Sequence, residues 1–342
     1  MPERASDVPG PVGTPSAPAE PPPVTVRLTE PPAMGPILTR AVARSLTGGS
    51  RRGGAGALPR RTVEVVDQRV DVQQWAHYAR VCGMSVGTVL PGTFLHVLAF
   101  GAQATVMGSA DFPFPMVGMV HIGNEMQVLA PVGLEDRLTV SAWADSVRPH
   151  RHGATVDLHA CARTGPEVRW RGRSTYLVRG VDLGEPAAGP GPEGRAEPAE
   201  AGPGPGGAGG DLAPWAHWSL PADLGRRYAA VSGDVNPIHL NPLAARAFGF
   251  PRTIAHGMWT HARVLAALEG RVAPRHTVAV SFRKPVLLPS TVAFRARPTP
   301  EGHVFAVTDR GGEREHLVGS VHALEDSSTA PDDDFVGSAG GV

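Results

Sequence analysis

The residues best suited to acid–base chemistry lie close together, within positions 228–258 of the 342-residue chain. Asp234 and His239 are five positions apart and flank Pro237, which lacks an N–H group and disfavours helix at the residue before it. This spacing predicts a tight loop that turns both side chains toward one cavity. A carboxylate and an imidazole facing the same reacting atoms supply a base and an acid near neutral pH.

A second feature of this stretch is a predicted helix, residues 256–269, that begins near Gly257. The N–H groups in the first turn of a helix have no intrahelical acceptor, so they can bind an oxyanion. Glycine at that position permits close approach of a substrate to the backbone. The sequence therefore predicts an oxyanion site beside the acid–base pair.

Three polar neighbours are expected to support this chemistry. Ser232 is expected to bond within the loop. Asn236 either bonds its own turn or contacts the substrate, and the first role is favoured. His256 is expected to shape the turn before Gly257 and not to transfer protons.

The segment SGDVNPIHLNPLAARAFGFPRTIAHGM, residues 232–258, resembles the signature of the MaoC-like, R-specific enoyl-thioester hydratases and dehydratases. The resemblance implies an α+β hot-dog fold, in which an antiparallel sheet wraps a long helix. It assigns catalysis to Asp234 and His239, support to Asn236, and the oxyanion N–H to Gly257. It also implies reversible dehydration of (3R)-hydroxyacyl thioesters carried on coenzyme A or an acyl-carrier protein, without a metal or an organic cofactor.

The chain contains two similar blocks. YARVCG at 78–83 matches YAAVSG at 228–233, and VHIGNEMQVLAP at 120–131 matches VAVSFRKPVLLP at 278–289. Each block has a helix followed by strands, so the pattern predicts an α+β double hot-dog. Duplicated members of the family with an inactive first half are known among eukaryotic peroxisomal enzymes and actinobacterial dehydratases, and the first block resembles the actinobacterial kind most.

The first block is predicted to be catalytically silent. Counting from Tyr78 and Tyr228, Met84 stands where the second block has Asp234, and Val89 stands where it has His239. Neither side chain can move a proton. Glycines in this block predict room for a long acyl tail: Gly83, Gly87, Gly92 and Gly101.

Glycine and proline mark the predicted boundaries. Residues 1–23 contain 10 of them and residues 184–214 contain 17, which is typical of unfolded segments. The predicted organisation is a disordered tail with a short helix (1–60), an N-terminal hot-dog (61–182), a linker (183–214), a catalytic hot-dog (215–323) and an acidic tail (324–342). The helix predicted at 32–46 either docks on its own domain, which is favoured, or lies on a membrane surface.

Composition excludes several classes of protein. With 32 basic and 32 acidic residues the net charge is zero, which argues against a nucleic-acid binder. Two cysteines give neither a disulfide framework nor a zinc quartet. No run of 18 apolar residues indicates a membrane span, so a cytoplasmic protein is expected. It acts either as the internal pair of copies alone or as a homodimer.

Two matters stay open at this level. Arg283 and Lys284 either meet the phosphates of coenzyme A or a carrier protein, or are ordinary exposed basic residues. An alternative function is a non-catalytic acyl-thioester-binding or partner protein that kept the fold. A thioesterase would need a carboxylate on the helix 256–269, which offers only Glu269 at its far end.

Overall fold

A computed structural model describes residues 22, 24–46, 57–181, 183 and 212–324. The predicted tail before residue 22, most of the predicted linker (184–211) and the predicted acidic tail (325–342) lie outside the described residues.

The first copy contains one strand, two helices and then four strands. Asp71 begins the first of these helices, as predicted: its carboxylate accepts hydrogen bonds from the N–H groups of Gln73 and Gln74 at 2.8 and 3.2 Å. The elements are β2 (Arg61–Gln68), α2 (Val72–Cys82), α3 (Gly92–Met107), β3 (Val120–Val128), β4 (Leu138–His150), β5 (Gly153–Thr164) and β6 (Glu167–Arg179).

The second copy repeats this order, with two additional short helices between its two longer ones. Its elements are β7 (Pro214–Leu220), α4 (Leu224–Ser232), α5 (Pro237–Leu240), α6 (Pro242–Ala247), α7 (Gly257–Ala267), β8 (His276–Phe282), β9 (Ser290–Thr299), β10 (Gly302–Asp309) and β11 (Glu315–Ala323). β8 ends at Phe282, and beyond it the backbone N–H groups of Arg283 and Lys284 still bond the backbone oxygens of His316 and Glu315, at 2.9 and 3.2 Å.

Within the described residues, the strands form one continuous sheet that begins with an additional strand, β1 (Val24–Leu28), in the order β1-β2-β4-β5-β6-β3-β8-β11-β10-β9-β7. From the central pair of β3 and β8, the same order of strands extends in both directions. That pair is antiparallel and places Gly123 opposite Ser281, which occupy corresponding positions in the matched segments. An approximate two-fold axis therefore passes between them, and the predicted α+β double hot-dog is confirmed.

The helices obey the same symmetry. Tyr78 of α2 and Tyr228 of α4 face each other with ring centroids 6.0 Å apart, and both are fully buried. Each of these helices ends at a glycine in the left-handed conformation, Gly83 (φ 69°) and Gly233 (φ 75°). Of the sixteen residues of α3, fourteen are buried, because the sheet wraps around this helix.

The N-terminal part of the chain departs from the prediction of a tail with a helix. Residues Val24–Leu28 form a strand, β1, which pairs in parallel with β2 along the edge of the sheet. The alternation in VTVRL is too short to identify a strand by itself, and the edge of β2 supplies its hydrogen-bonding partner.

The predicted helix is present as α1 (Met34–Leu46), and it packs on α3. The docked alternative is therefore confirmed for this helix. The side chains of Leu38, Val42 and Leu46 on this helix lie outside the described part of the structure. Among the described residues, no helix is long and apolar enough to span a bilayer.

Candidate active site

The loop that carries Asp234 is built by the end of α4 and the start of α5. Gly233 terminates α4 with its N–H bonded to the oxygen of Ala229 at 2.9 Å, and its positive φ turns the chain out of the helix. Pro237 then occupies the first position of α5, where its missing N–H costs nothing. A three-residue loop, 234–236, is left between the two helices and is called the catalytic loop below.

Local hydrogen bonds fix this loop. The N–H of Asp234 donates to Ser232 Oγ at 3.2 Å, and the N–H of Asn236 donates to Asp234 Oδ1 at 3.2 Å. Asn236 Oδ1 in turn accepts from the N–H of Ile238 at 3.4 Å. The side chain of Asp234 stays 34% exposed, so its carboxylate is accessible from a cavity.

His239 lies on α5 with a defined tautomer. Its Nδ1 is 2.8 Å from the backbone oxygen of Ile254, and since a carbonyl can only accept, Nδ1 carries the proton. Burial lowers the pKa of His239 below its ordinary value, against the opposing effects of Asp234 and the Ile254 oxygen. The ring is therefore neutral at pH 7, with an unprotonated Nε2.

His256 links the catalytic loop to the start of α7. Its Nε2 donates to the backbone oxygen of Asp234 at 3.0 Å, and its ring stacks on that of His239 with centroids 3.6 Å apart. Burial, and secondarily the neighbouring His239, lowers the pKa of His256 well below its ordinary value. His256 is thus a neutral hydrogen-bond donor at this position.

The first residue of α7 is Gly257, as expected. The side chain of His256, the residue that precedes the helix, does not cap the N–H groups of the first turn. A Cβ at Gly257 would lie only 2.9 Å from the ring of Phe282, so any larger residue would clash there. Glycine here lets α7 begin close to Phe282, directly after His256, whose ring stacks on that of His239.

A pocket opens at the catalytic loop and is lined mainly by the first copy and α1. Asp234 and Asn236 lie at one part of its wall, and the remainder is largely apolar. The lining residues outside the loop are Met34, Phe100, Met107, Met116, Val117, Met119 and Tyr176.

These lining residues were not predicted from the sequence. Met116 and Met119 lie in the segment FPFPMVGM, whose two prolines indicate a loop but do not indicate what the loop faces. Tyr176 and Phe100 occupy a strand and a helix whose apolar residues are all compatible with the core. Only the packing of the two copies distinguishes pocket from core.

The prediction that the glycines of the first copy leave room for an acyl tail is wrong for three of the four. The position of a Cβ on Gly83 is 2.6 Å from Arg263, and that on Gly92 is 3.2 Å from Trp170. Pro32 lies 3.2 Å from the corresponding position of Gly101. The space beside these three glycines is therefore filled by neighbouring side chains, whereas no atom lies within 4 Å of the Cβ position on Gly87.

The first copy lacks an equivalent of the acid–base pair. Met84 is buried in the core, while Val89 is 56% exposed and bridges to Gly133. Gly92, which opens α3 as Gly257 opens α7, is covered by the buried ring of Trp170.

Arg283 and Lys284 are not among the pocket-lining residues. Both are exposed and directly follow Phe282, whose ring lies against Gly257. Glu269, the residue a thioesterase would need, lies beyond the end of α7 and accepts hydrogen bonds from Ser85 at 2.7 and 2.9 Å.

The geometry of Asp234, His239 and His256 also bears on metal binding. One potential ligand atom from each lies within 4.8 Å of the others. However, Nδ1 of His239 and Nε2 of His256 already donate to backbone oxygens, which leaves one free nitrogen on each ring. Because the rings are stacked, with 24° between their planes, their lone pairs do not readily converge on one ion.

Fold and site together define a duplicated hot-dog protein with one acid–base pair beside a helix N-terminus. A sequence model of the MaoC-like domain matches residues 213–315. The 3-hydroxyacyl-thioester dehydratase X of Mycobacterium tuberculosis, HtdX, is 35% identical over 269 residues, which cover 78% of this chain and 91% of that protein. The chain therefore belongs to the MaoC-like dehydratase family.

Solved structures agree with this family assignment. A crystal structure of HtdX has a TM-score of 0.65 at 33% identity and covers 77% of this chain and 100% of its own. A MaoC-like dehydratase from Phytophthora capsici has a TM-score of 0.60 at 16% identity, covering 78% of this chain and 96% of its own, and shows the fold alone.

Proposed function

We propose that this protein is a hydro-lyase that catalyses the reversible dehydration of (3R)-hydroxyacyl thioesters to trans-2-enoyl thioesters. The observation that carries the proposal is the proximity of Asp234, which lines an apolar pocket, to His239 and to His256, the residue directly before α7. HtdX, which is named a 3-hydroxyacyl-thioester dehydratase, supports the same reaction.

In the hydration direction, Asp234 and His239 hold the attacking water together. A carboxylate oxygen and the unprotonated Nε2 of His239 are both acceptors, and a water molecule has two hydrogens to donate. Two acceptors bridged by one water lie roughly 4.5 Å apart, given ordinary hydrogen-bond lengths. One potential ligand atom of each side chain lies within 4.8 Å of the other, so the two side chains are close enough for such a bridge. Asp234 is the principal base toward this water.

The thioester oxygen gains negative charge when the α-carbon loses its proton, and the N–H of Gly257 stabilises it. An oxyanion donor of this kind is worth roughly 3–4 kcal/mol. The N-terminal charge of the helix macrodipole acts in the same direction. In dehydration the same pair works in reverse, one group removing the α-proton and the other protonating the departing hydroxyl.

The acyl chain occupies the pocket of the first copy. Its methionine side chains are flexible and adapt to apolar ligands of different shape, so chains longer than four carbons are accepted. Arg283 and Lys284 bind the phosphates of coenzyme A or a carrier protein near the entrance. No metal or organic cofactor takes part, and the expected form is a cytoplasmic protein that acts either as the internal pair of copies alone or as a homodimer.

The test is loss of absorbance at the enoyl-thioester band with crotonyl-CoA and longer trans-2-enoyl-CoA substrates. The wild type should turn over, while Asp234→Ala and His239→Ala should each lose about 10²- to 10⁴-fold, the contribution of a general acid or base. Near-full turnover of Asp234→Asn would contradict its role as the base. No turnover on any substrate, with binding retained, would favour a non-catalytic acyl-thioester-binding protein.

A further inference from the structure

The N-terminal segment, residues 24–46, is built into the fold although it belongs to neither hot-dog copy. β1 pairs with β2 over five residues, and Arg27 Nε lies 3.2 Å from the carboxylate of Glu64. The strand brings the chain across the sheet edge, and α1 continues onto α3. The pairing of β1 with β2 and the packing of α1 on α3 together fix the position of α1.

Two glycines of the first copy let this segment approach closely. A Cβ on Gly101, in the middle of α3, would lie 3.2 Å from Pro32, and one on Gly108 would lie 2.9 Å from Ile37. Glycine within a helix costs about 1 kcal/mol relative to alanine, so its presence in α3 agrees with a need for this contact.

Met34, the first residue of α1, lies at the end of the pocket that Asp234 lines. Met34 lines the same pocket as Asp234 and Phe100. Its Cγ lies 3.5 Å from the position that a Cβ would take on Gly233, the residue before Asp234. The side chain is half-buried, between the catalytic loop and the apolar wall of the first copy.

We propose that Met34 determines acyl-chain specificity by packing on the chain immediately beyond the reacting carbons. This inference rests on the proposed function, since it assumes an acyl thioester in the pocket. A chain bound with its thioester at the oxyanion N–H and its C3 at Asp234 passes Met34 on leaving the catalytic loop. Chains of four carbons end before this contact, whereas longer chains make it.

Binding of saturated acyl-CoA by titration calorimetry tests the inference without catalysis, because saturated chains cannot be hydrated. Butyryl-CoA and dodecanoyl-CoA serve as short and long probes. Met34→Ala should weaken dodecanoyl-CoA about tenfold, as expected from loss of one side chain's apolar contact, and change butyryl-CoA less than about twofold. Met34→Trp should block the long chain further, and Met34→Leu should retain binding close to the wild type.

The matched control is Val26→Ala, in the same segment but 39% exposed on β1, which should leave both affinities unchanged. Melting temperatures of all variants identify any general loss of structure. Equal weakening of both probes, no effect of Met34→Ala and Met34→Trp, or a wild type that does not prefer the long chain would each overturn the inference.

Turnover of trans-2-enoyl-CoA, measured in parallel, separates this inference from the proposed function. A wild type that binds dodecanoyl-CoA in a Met34-dependent manner but hydrates nothing refutes only the proposed reaction. A wild type that hydrates while its Met34 variants show no dependence on chain length refutes only the role of Met34.

Discussion

The side-chain amide of Gln74, in the first copy, donates a 2.8 Å hydrogen bond to the backbone oxygen of Val231, three positions before Asp234. The corresponding oxygen in the first copy, that of Val81, accepts a 2.9 Å hydrogen bond from Trp259 Nε1 of the second. Carbonyls in the last turn of a helix lack intrahelical partners. Each copy therefore satisfies one such carbonyl of the other, and the copy without an acid–base pair holds the catalytic loop.

Gln74→Leu should lower kcat by about ten- to a hundredfold with little change in KM, because small misplacements of catalytic groups are costly. Steady-state kinetics on an enoyl thioester measure this effect. Ser85→Ala is the matched control, since it removes another hydrogen bond between the copies, 2.7 Å to Glu269. Equal losses of kcat in both variants would indicate general loosening of the interface and not positioning of Asp234.

The loop and the duplication could be predicted from the sequence because their signals are local. The proline after Asn236 and the glycine after α4 determine the backbone of the loop, and Asp71 identifies the start of α2. Matching segments such as 78–83 and 228–233 reveal the second copy without any knowledge of packing.

The pocket could not be predicted because it depends on contacts between distant parts of the chain. Gly101 was expected to leave space, yet Pro32 fills it from 69 positions away in the sequence. Met34 reaches the catalytic loop only because β1 docks on β2, and the five residues of β1 carry no strand signal strong enough to predict it. Tertiary pairing, not propensity, determines both features.

The buried histidines should make stability depend on acid. Burial lowers the pKa of His96 to about 4, and that of His121 and His261 to about 3. Since the unfolded chain has a histidine pKa of about 6.5, it binds more protons than the folded one below that pH. Stability should therefore be complete above pH 6.5 and fall progressively toward pH 3–4.

Melting temperatures measured from pH 7.5 to 4 test this dependence. His261→Leu should make it shallower, because it removes one of the buried groups whose pKa is lowered. Both ring nitrogens of His261 lack a hydrogen-bond partner among the described residues, so leucine breaks no hydrogen bond. His152→Ala, at an exposed turn, is the control and should keep the wild-type slope. A slope unaffected by His261→Leu would assign the acid sensitivity to other groups.

Chelation should leave turnover unchanged. Although Asp234, His239 and His256 lie within 4.8 Å of one another, two of the four ring nitrogens are bonded to backbone oxygens. Dialysis against EDTA followed by assay, with metal analysis of the same sample, measures the effect. Loss of activity that added Zn²⁺ restores would contradict the metal-free mechanism.

Arg283 and Lys284 should affect only the carrier end of the substrate. Arg283→Ala and Lys284→Ala should each raise KM for an enoyl-CoA by about two- to fivefold, the size expected for an exposed charge pair. KM for the matching N-acetylcysteamine thioester, which has no phosphates, should not change. A similar increase for both substrates would place these residues at the acyl chain or in the fold.

His256 should act on catalysis by positioning Asp234. Its Nε2 donates to the backbone oxygen of Asp234, and its buried Nδ1 has no hydrogen-bond partner among the described residues. His256 therefore has no route for moving a proton to the substrate. We expect His256→Ala to lower kcat about ten- to a hundredfold. His256→Gln, which retains an N–H donor, should recover part of that loss.

The pH–rate profile separates positioning from proton transfer. Because His239 holds the reacting water through its unprotonated Nε2, protonation of that nitrogen should set the acidic limb, and the midpoint should be the same in His256→Gln as in the wild type. His239→Gln should lose about 10²- to 10⁴-fold, the contribution of a general acid or base, because an amide cannot exchange a proton in place of the imidazole. If the acidic limb moved or vanished in His256→Gln, His256 itself would have to exchange protons during turnover.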